Sequence, residues 1–420
     1  MKIALRKCLI FVTVILIQGD IVLSANDKMD PPFIQELVIN NDAPDKTSKS
    51  RRPPNILISD NILLYEDGEL GPIQAYDLKS LSLKWKNEIP YDYEAKLCDI
   101  TDSLAFIYID GVFGKVGLAS GKMTGINIYN GKEIWSTSAP SPFKRRYKKV
   151  LLIENLLIYC GSENLTVIEL NTGYLRLVIR YSFRHSKIID TKTFLEGIQP
   201  DSQDTCSILW AIDDRIYSIN PITGEVYKEF YPGNNIRPVP MPDVYSGLGH
   251  VIDHNDYSTV CYNYEVRKQK SQVFCVDVTD WQVLWKHEDY NIDMVQVVND
   301  GALILKGREI IKKDALDGNE QWKTRLDKGD IIIGYEISDG IIYICDKWIE
   351  DGNRSGLYAL NINTGDILWH EYFTGSIQRK PVFYNNKIYI ILQPGGDYDH
   401  NGVIKIYDHK QTVSAINNIK

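Results

Sequence analysis

Short apolar runs, each bounded by polar turn residues, follow one another along most of the chain. Examples are Ile56-Leu57-Ile58, Ile62-Leu63-Leu64-Tyr65, Ile341-Ile342-Tyr343-Ile344 after Asp339-Gly340, and Ile388-Tyr389-Ile390-Ile391 after Asn385-Asn386. Runs of this length, rich in Ile and Tyr and set off by Asn, Asp and Gly, read as strands joined by tight turns. No stretch shows convincing helical spacing, so the pattern predicts an all-β chain and excludes alternating βα units.

The runs fall into repeats. Leu360-Asn361-Ile362-Asn363-Thr364-Gly365-Asp366-Ile367-Leu368-Trp369, Ile128-Tyr129-Asn130-Gly131-Lys132-Glu133-Ile134-Trp135 and Leu316-Asp317-Gly318-Asn319-Glu320-Gln321-Trp322 each place a Gly four residues before a Trp. The large residue recurs as Trp85, Trp135, Trp285, Trp322 and Trp369, with Leu177 and Lys228 standing in its place in the third and fourth units. An eighth unit, Ile404-Lys405-Ile406-Tyr407-Asp408, trails into a degraded tail through Val413 and Ile416. Each unit reads strand, turn, strand, loop, strand, Gly turn, strand. Four short strands per forty-odd residues is the signature of a propeller blade. Asn or Asp at the turn can bond its own backbone, and Gly supplies the positive φ of a tight hairpin. The Trp then falls on the outer strand, where it covers the seam to the neighbouring blade and its indole N–H needs one partner. The blades ending at Leu177 and Lys228 are expected to pack more loosely there.

The unit Gly356-Leu357-Tyr358-Ala359-Leu360-Asn361-Ile362-Asn363-Thr364-Gly365-Asp366-Ile367-Leu368-Trp369 closely resembles the repeat of pyrroloquinoline-quinone-type (PQQ-like) β-propellers. The resemblance spans roughly 55–416 and implies eight four-stranded blades, with seven as the alternative. That superfamily holds quinoprotein alcohol dehydrogenases as well as cofactor-free propellers, among them an outer-membrane assembly lipoprotein. The dehydrogenases carry an adjacent Cys-Cys pair, which this chain lacks, and no Cys is placed as a lipid acceptor. The resemblance therefore implies the fold and transfers neither activity.

The N-terminus predicts an export signal over 1–25: Lys2, Arg6 and Lys7 precede an apolar run that ends near Ile17, followed by Ser24 and Ala25. That run is too short to span a membrane comfortably. A segment broken by five prolines, 26–54, is expected to be flexible apart from one strand at Phe33–Ile39; 417–420 is a tail. The expected location is secreted, or periplasmic in a bacterium. A net charge of -8 argues against a general nucleic-acid binder. Six cysteines remain beyond the signal. Cys261 and Cys275 flank a predicted hairpin and form the candidate disulfide, with buried thiols as the alternative.

Four candidate sites emerge. Asp397, Asp399 and Asn401, with Asp408 at the twelfth position, match an acidic loop whose oxygens could converge on calcium; an Asp-rich hairpin loop is the alternative. Lys144, Arg145, Arg146, Lys148 and Lys149 form a basic patch able to grip an anionic partner or simply a solvated loop. Asn164 and Asn353 head N-glycosylation sequons. Irregular inserts at 113–122, 239–264 and 347–355 are where rim function is expected. The chain reads as a non-enzymatic binding scaffold for an unidentified protein or extracellular ligand, with no cofactor assigned beyond the calcium candidate. A quinone- or calcium-dependent oxidoreductase is the alternative.

Overall fold

The computed structural model describes residues 29–39, 54–66, 72–87, 93–111, 121–139, 150–153, 155–160, 164–182, 187–190, 208–212, 215–230, 237–238, 250–253, 259–266, 270–277, 282–290, 292, 294–298, 301–327, 331–348, 354–377, 379–393 and 402–418. The apolar runs form antiparallel strands, and these assemble into eight sheets among the described residues. The first sheet sets the plan: Asn55–Ser59, Ile62–Glu66, Ile73–Asp77 and Ser82–Asn87 lie side by side in chain order. The second (Tyr93–Ile100 to Glu133–Ala139), sixth (Met294–Val298 to Glu320–Arg325) and seventh (Ile331–Ser338 to Ile367–Thr374) repeat it. The third (Val150–Ile153 to Leu175–Ser182) adds a fifth strand, Lys187–Asp190, on its outer edge. The fourth and fifth interleave: Arg237–Pro238, in the fifth, precedes His250–Asp253, which joins the fourth.

The first strands of successive sheets abut. Asn55–Ser59 meets Tyr93–Ile100, which meets Val150–Ile153, and Val382–Tyr384 of the eighth sheet touches both Ile331–Ser338 and Asn55–Ser59. The last sheet thus packs on the first, and the ring closes. The closing seam buries Leu37, Ile39, Tyr389, Ile391, Ile404 and Ile406 against Ile56, Ile58, Leu63, Tyr65, Tyr76 and Leu78. This is a β-propeller, and eight sheets are consistent with eight blades.

The eighth sheet differs from the sequence expectation in its outer edge. The tail beyond Asp408 is no strand; it forms helix α1 (His409–Asn418). Phe33–Ile39 pairs with Gly402–Asp408 and supplies the outer strand instead. The tail lacked helical spacing because α1 is short and held mainly by its contacts. Asp408 Oδ1 accepts from Gln411 N at 3.2 Å at the helix start, and Thr412 is fully buried.

One interaction repeats at the seams. Each outer-strand indole lies on the tight turn of the following sheet and donates to a carbonyl three residues before that turn's glycine. Trp85 Nε1 reaches Ile128 O (2.7 Å), Trp135 reaches Leu170 O (2.6 Å), Trp285 reaches Ala315 O (3.0 Å) and Trp322 reaches Ile362 O (2.9 Å). The rings cover Gly131, Gly173, Gly318 and Gly365, where a Cβ would fall under 3.0 Å from indole carbons. Those glycines also hold φ between 69° and 76°. They are glycine on two counts, backbone hand and seating of the ring. Trp369 faces α1 and donates to Thr412 Oγ1 at 3.1 Å. Leu177 lies against Gly224 by carbon contact alone.

The residue across from the latch position is small in most sheets: Ala75, Gly125, Val167, Ser218, Cys275 and Ala359 pair with Trp85, Trp135, Leu177, Lys228, Trp285 and Trp369. A bulge follows that pair in each case, which turns the strand toward its neighbour. The same position bears on the expected disulfide. The register does set Cys261 opposite Cys275, but Cys275 is a free, buried thiol. It fills the small-residue position beneath Trp285, and its Sγ donates to Ala315 O of the next sheet at 3.5 Å.

Replacing Trp322 by Ala is expected to destabilise the protein by about 3–5 kcal/mol, the usual cost of emptying a large buried aromatic site. Gly365→Ala should also destabilise, through strained φ and collision with the same ring. In a double-mutant cycle read by denaturant unfolding the two costs should be less than additive, because without the ring the collision with the indole is gone and only the strained φ and the contact with Thr324 Oγ1 remain. Strict additivity would show that ring and turn act separately.

Candidate functional site

The propeller has two unlike ends. One, the turn end, carries the hairpins between first and second and between third and fourth strands. Its exposed side chains include Asp60, Asp102, Asp317, Asp339 and Asp366. Many of its acids serve the turns themselves. Asp77 accepts from Lys79 N and Ser80 N at 2.9 and 3.0 Å, and Asp314 from Leu316 N and Asp317 N at 2.8 and 3.3 Å. These backbone donors hold both carboxyls below their ordinary range. At the mouth of the ring, Tyr129 O–H donates to Asp60 Oδ2 and to Asp102 O (2.9 Å), Ser59 donates to Asp102 Oδ1 at 3.1 Å, and Asn61 N donates to Tyr384 O–H at 3.0 Å. The hydrogen bond to Asp60 raises the Tyr129 hydroxyl above its usual pKa. This cluster ties the first, second and eighth sheets together.

Beneath Asp339, His409 of α1 is buried. Its Nε2 lies 2.9 Å from Asp339 Oδ2, and its Nδ1 lies 2.8 Å from the Tyr343 hydroxyl. Both ring nitrogens are engaged, so this histidine pins the helix.

The opposite, loop end is irregular, and its densest feature lies on the seventh sheet. Ile341–Lys347 leads directly into Trp348, and Arg354–Asn361 begins within the 347–355 insert. Trp348 N donates to Arg354 O at 3.1 Å, closing the neck of the insert. The Arg354 guanidinium sits 5.6 Å above the Trp348 ring. Tyr372 meets Trp348 edge-on at 5.6 Å, Tyr358 edge-on at 6.0 Å and His370 at 4.8 Å. Beneath them lies the buried carboxylate of Asp346, and a side chain at Gly356 would place its Cβ 2.7 Å from Asp346 Oδ1. Burial first, then the Asp327 and Asp346 charges, raise the Tyr372 hydroxyl. Trp348 and Tyr372 remain half-buried and Arg354 exposed. Five indoles, those of Trp85, Trp135, Trp285, Trp322 and Trp369, are spent on seams; Trp348 lies outside that series.

The residues expected from sequence are scattered. Asp397, Asp399 and Asn401 lie outside the described residues, while Asp408 caps α1. Lys144, Arg145, Arg146, Lys148, Lys149 and Asn353 also lie outside the described residues. Asn164 begins a strand, and Thr166 of its sequon is fully buried and donates back to Asn164 Oδ1 at 3.3 Å. Among the described residues no three His, Cys, Asp or Glu side chains converge as a metal site, and no helix is long and apolar enough to cross a membrane. The insert 347–355 was legible in the sequence; Tyr372 and His370, brought to it from the fourth strand, were not.

The fold has known counterparts. Residues 269–399 match the family model PQQ_2, described as outer membrane protein assembly factor BamB. The chain is a β-propeller, and its 269–399 stretch resembles that family. BamB from Moraxella catarrhalis shares the propeller fold at a TM-score of 0.54 and 14% identity, covering 90% of this chain and 97% of that one. The computationally designed Ika8 protein aligns equally well, at 0.54 and 13% identity over 90% of this chain and 98% of its own. Quinohemoprotein alcohol dehydrogenase from Comamonas testosteroni aligns at 0.52 and 9% identity, over 86% of this chain and 75% of that one. A comparison with curated proteins found no match.

One titratable group at a seam gives a pH test. His287 stands two residues after Trp285, where Thr137 and Thr324 donate to the next turn's glycine carbonyl; here Lys313 Nζ takes that carbonyl at 2.8 Å. Burial, then the nearby Lys313 charge, lowers the His287 pKa, with Lys306 lowering it further and Asp289 and Glu320 opposing. The unfolded chain then binds a proton near pH 6.5 that the folded chain refuses. This contribution is full above that pH and is lost as pH falls from there through the lower pKa of the folded chain. His287→Gln should flatten the acid-side decline of melting temperature between about pH 7 and pH 5; an unchanged slope would assign the decline elsewhere.

Proposed function

We propose that this protein is an exported, non-enzymatic propeller that binds a protein partner across the loop-end rim of its seventh sheet. The observation that carries this reading is the Trp348–Arg354–Tyr372 group. Trp, Arg and Tyr are the residues in which binding energy concentrates at protein interfaces. Here they are held in fixed mutual contact, so little conformational freedom is lost on docking. The rigid ring beneath supports them, and the adjoining insert is a surface on which a propeller can vary without disturbing its seams. The description of the matching family model, an assembly factor, supports a protein as the partner. The sequence of the N-terminus supports export.

A photoreactive benzoylphenylalanine placed at position 348 or 372 is expected to yield discrete protein adducts in the host. The same probe at Tyr129 on the turn end, or at Leu83 on the outer circumference, should yield none. Adducts of equal strength from all four positions, or from none, would sink this reading. The quinoprotein alternative would gain if purified protein given calcium and pyrroloquinoline quinone developed a cofactor absorbance and a raised melting temperature.

A further inference from the structure

We infer that Asn130 is a site of spontaneous covalent modification, conversion of its amide to aspartate and isoaspartate, and that the Trp85 latch holds this reaction in check. Asn130 is exposed in the turn between Gly121–Asn127 and Glu133–Ala139 of the second sheet, and Gly131 follows it. An amide before glycine is the most reactive setting for this chemistry, because no Cβ hinders approach of the glycine nitrogen to the Asn side chain. Five glycines receive a latch side chain: Gly131, Gly173, Gly224, Gly318 and Gly365. Three of them follow Thr172, Thr223 and Thr364, which offer no carbonyl carbon, and Gly318 follows Asp317, whose carboxylate oxygens repel a nucleophile. Among these turns, Gly131 alone follows an amide.

The reaction needs nothing but water. The Gly131 backbone nitrogen gives up its proton and attacks Asn130 Cγ. A bond forms between them, the Cγ–Nδ2 bond breaks, and the amide nitrogen takes up a proton and leaves as ammonia. The succinimide ring that remains is opened by water at either carbonyl. Opening at one restores the main chain with aspartate; opening at the other routes the main chain through Cβ and Cγ as isoaspartate.

The turn acts on this reaction in two opposite ways. Asn130 Oδ1 accepts from Lys132 N at 3.0 Å. That bond draws electron density from Cγ and folds the side chain back along the turn, so the electrophile is prepared. The nucleophile is withheld. Gly131 N donates to Asn127 O at 2.9 Å, and Gly131 O accepts from Asn87 Nδ2 at 3.1 Å. The Trp85 ring lies so close that a Cβ on Gly131 would fall 2.8 Å from an indole carbon. Attack requires breaking the bond to Asn127 and rotating a peptide that Asn87 and the indole hold in place. The turn must therefore leave the ring before it reacts, and local opening of this seam sets the rate.

The product acts back on the seam. Trp85 Nε1 donates to Ile128 O at 2.7 Å, Asn87 to Gly131 O, and the Tyr129 hydroxyl to Asp60, so the hydrogen bonds from the first sheet converge on this one turn. Isoaspartate lengthens the main chain in the middle of it. Either product also adds a negative charge next to Tyr129, which is already bonded to the Asp60 carboxylate. An opened seam is modified, and a modified seam reseats poorly.

The test is a time course of the full chain at mildly alkaline pH and body temperature. Peptide mapping by mass spectrometry reads the amide-to-acid change, and methylation by an isoaspartate methyltransferase reads the isomer. Conversion at Asn130 is expected to be slow in the wild type, about tenfold faster in Trp85→Ala, and intermediate in Trp85→Phe, which keeps a ring but has no N–H donor. Trp322→Ala, at a distant seam, should leave the Asn130 rate near that of the wild type. Asn401, the other Asn before a Gly, lies outside the described residues and should be indifferent to Trp85. Melting temperatures confirm folding, and if Trp85→Ala does not fold, Trp85→Phe and Asn87→Ala carry the comparison. Equal rates in the wild type and the Trp85 variants, an equal acceleration by Trp322→Ala, or a wild type that converts as fast as the urea-unfolded chain would overturn control by the latch. Conversion at Asn130 no faster than at asparagines without a following glycine, once Trp85 is replaced, would overturn the site itself.

Discussion

The seating of one sheet's indole on the next sheet's turn is the constraint from which the remaining order follows. A four-stranded sheet has two apolar faces and cannot bury either alone. The ring buries them pairwise, as the seam clusters show, but apolar contact has little directional preference. The indole adds direction. Its N–H must find a carbonyl, and its ring must find a turn without a side chain, so each sheet is fixed to its neighbour in both tilt and height. The small residue opposite and the bulge after it are the local cost of that seating.

The same constraint explains how the fold was legible while the rim was not. Gly365 and Trp369 belong to one hairpin and are four residues apart, so their repetition is visible in sequence. The contact each makes is with a different sheet: Gly365 receives Trp322, and Trp369 reaches Thr412. The period revealed the hairpins, and only the ring revealed the partners. Cys275 shows the limit. Its place in a hairpin opposite Cys261 was readable, but the indole above it decides its role. The outer strand of the eighth sheet was beyond reach for another reason, since its partner strand lies at the other end of the chain. Trp348, Tyr372 and Arg354 come from three strands and share no spacing that a single repeat could display.

The two ends of the ring differ in what the fold asks of them. The turn end is occupied with its own architecture: its Asp and Asn side chains bond their turns, Tyr129 bridges the first two sheets, and His409 pins α1. An end whose polar groups already serve the fold has little freedom to vary. The loop end carries the connections that no latch touches. There a tryptophan outside the latch series lies against an arginine and a tyrosine.

The seam between the fourth and fifth sheets tests how general the constraint is. Its outer strand offers Lys228 where other sheets offer an indole, and the residue four before Trp285 in the sequence is Trp281, where the other repeats have glycine or Leu81. The closing seam behaves alike: no indole precedes the first sheet, and its turn has Leu81 at the glycine position with φ 53°. Among the described turns, wherever the latch position holds Trp or Leu and a hairpin follows, the facing turn has glycine; at the closing seam, where it does not, the turn has Leu81. Backbone hand alone would select glycine at all of these turns equally, and Leu81 shows that a side chain can be tolerated there. The glycines therefore answer mainly to the neighbouring ring. Without the ring at the closing seam its turn is released to take Leu81, and there the N-terminal strand supplies by pairing the fixation that the indole supplies elsewhere.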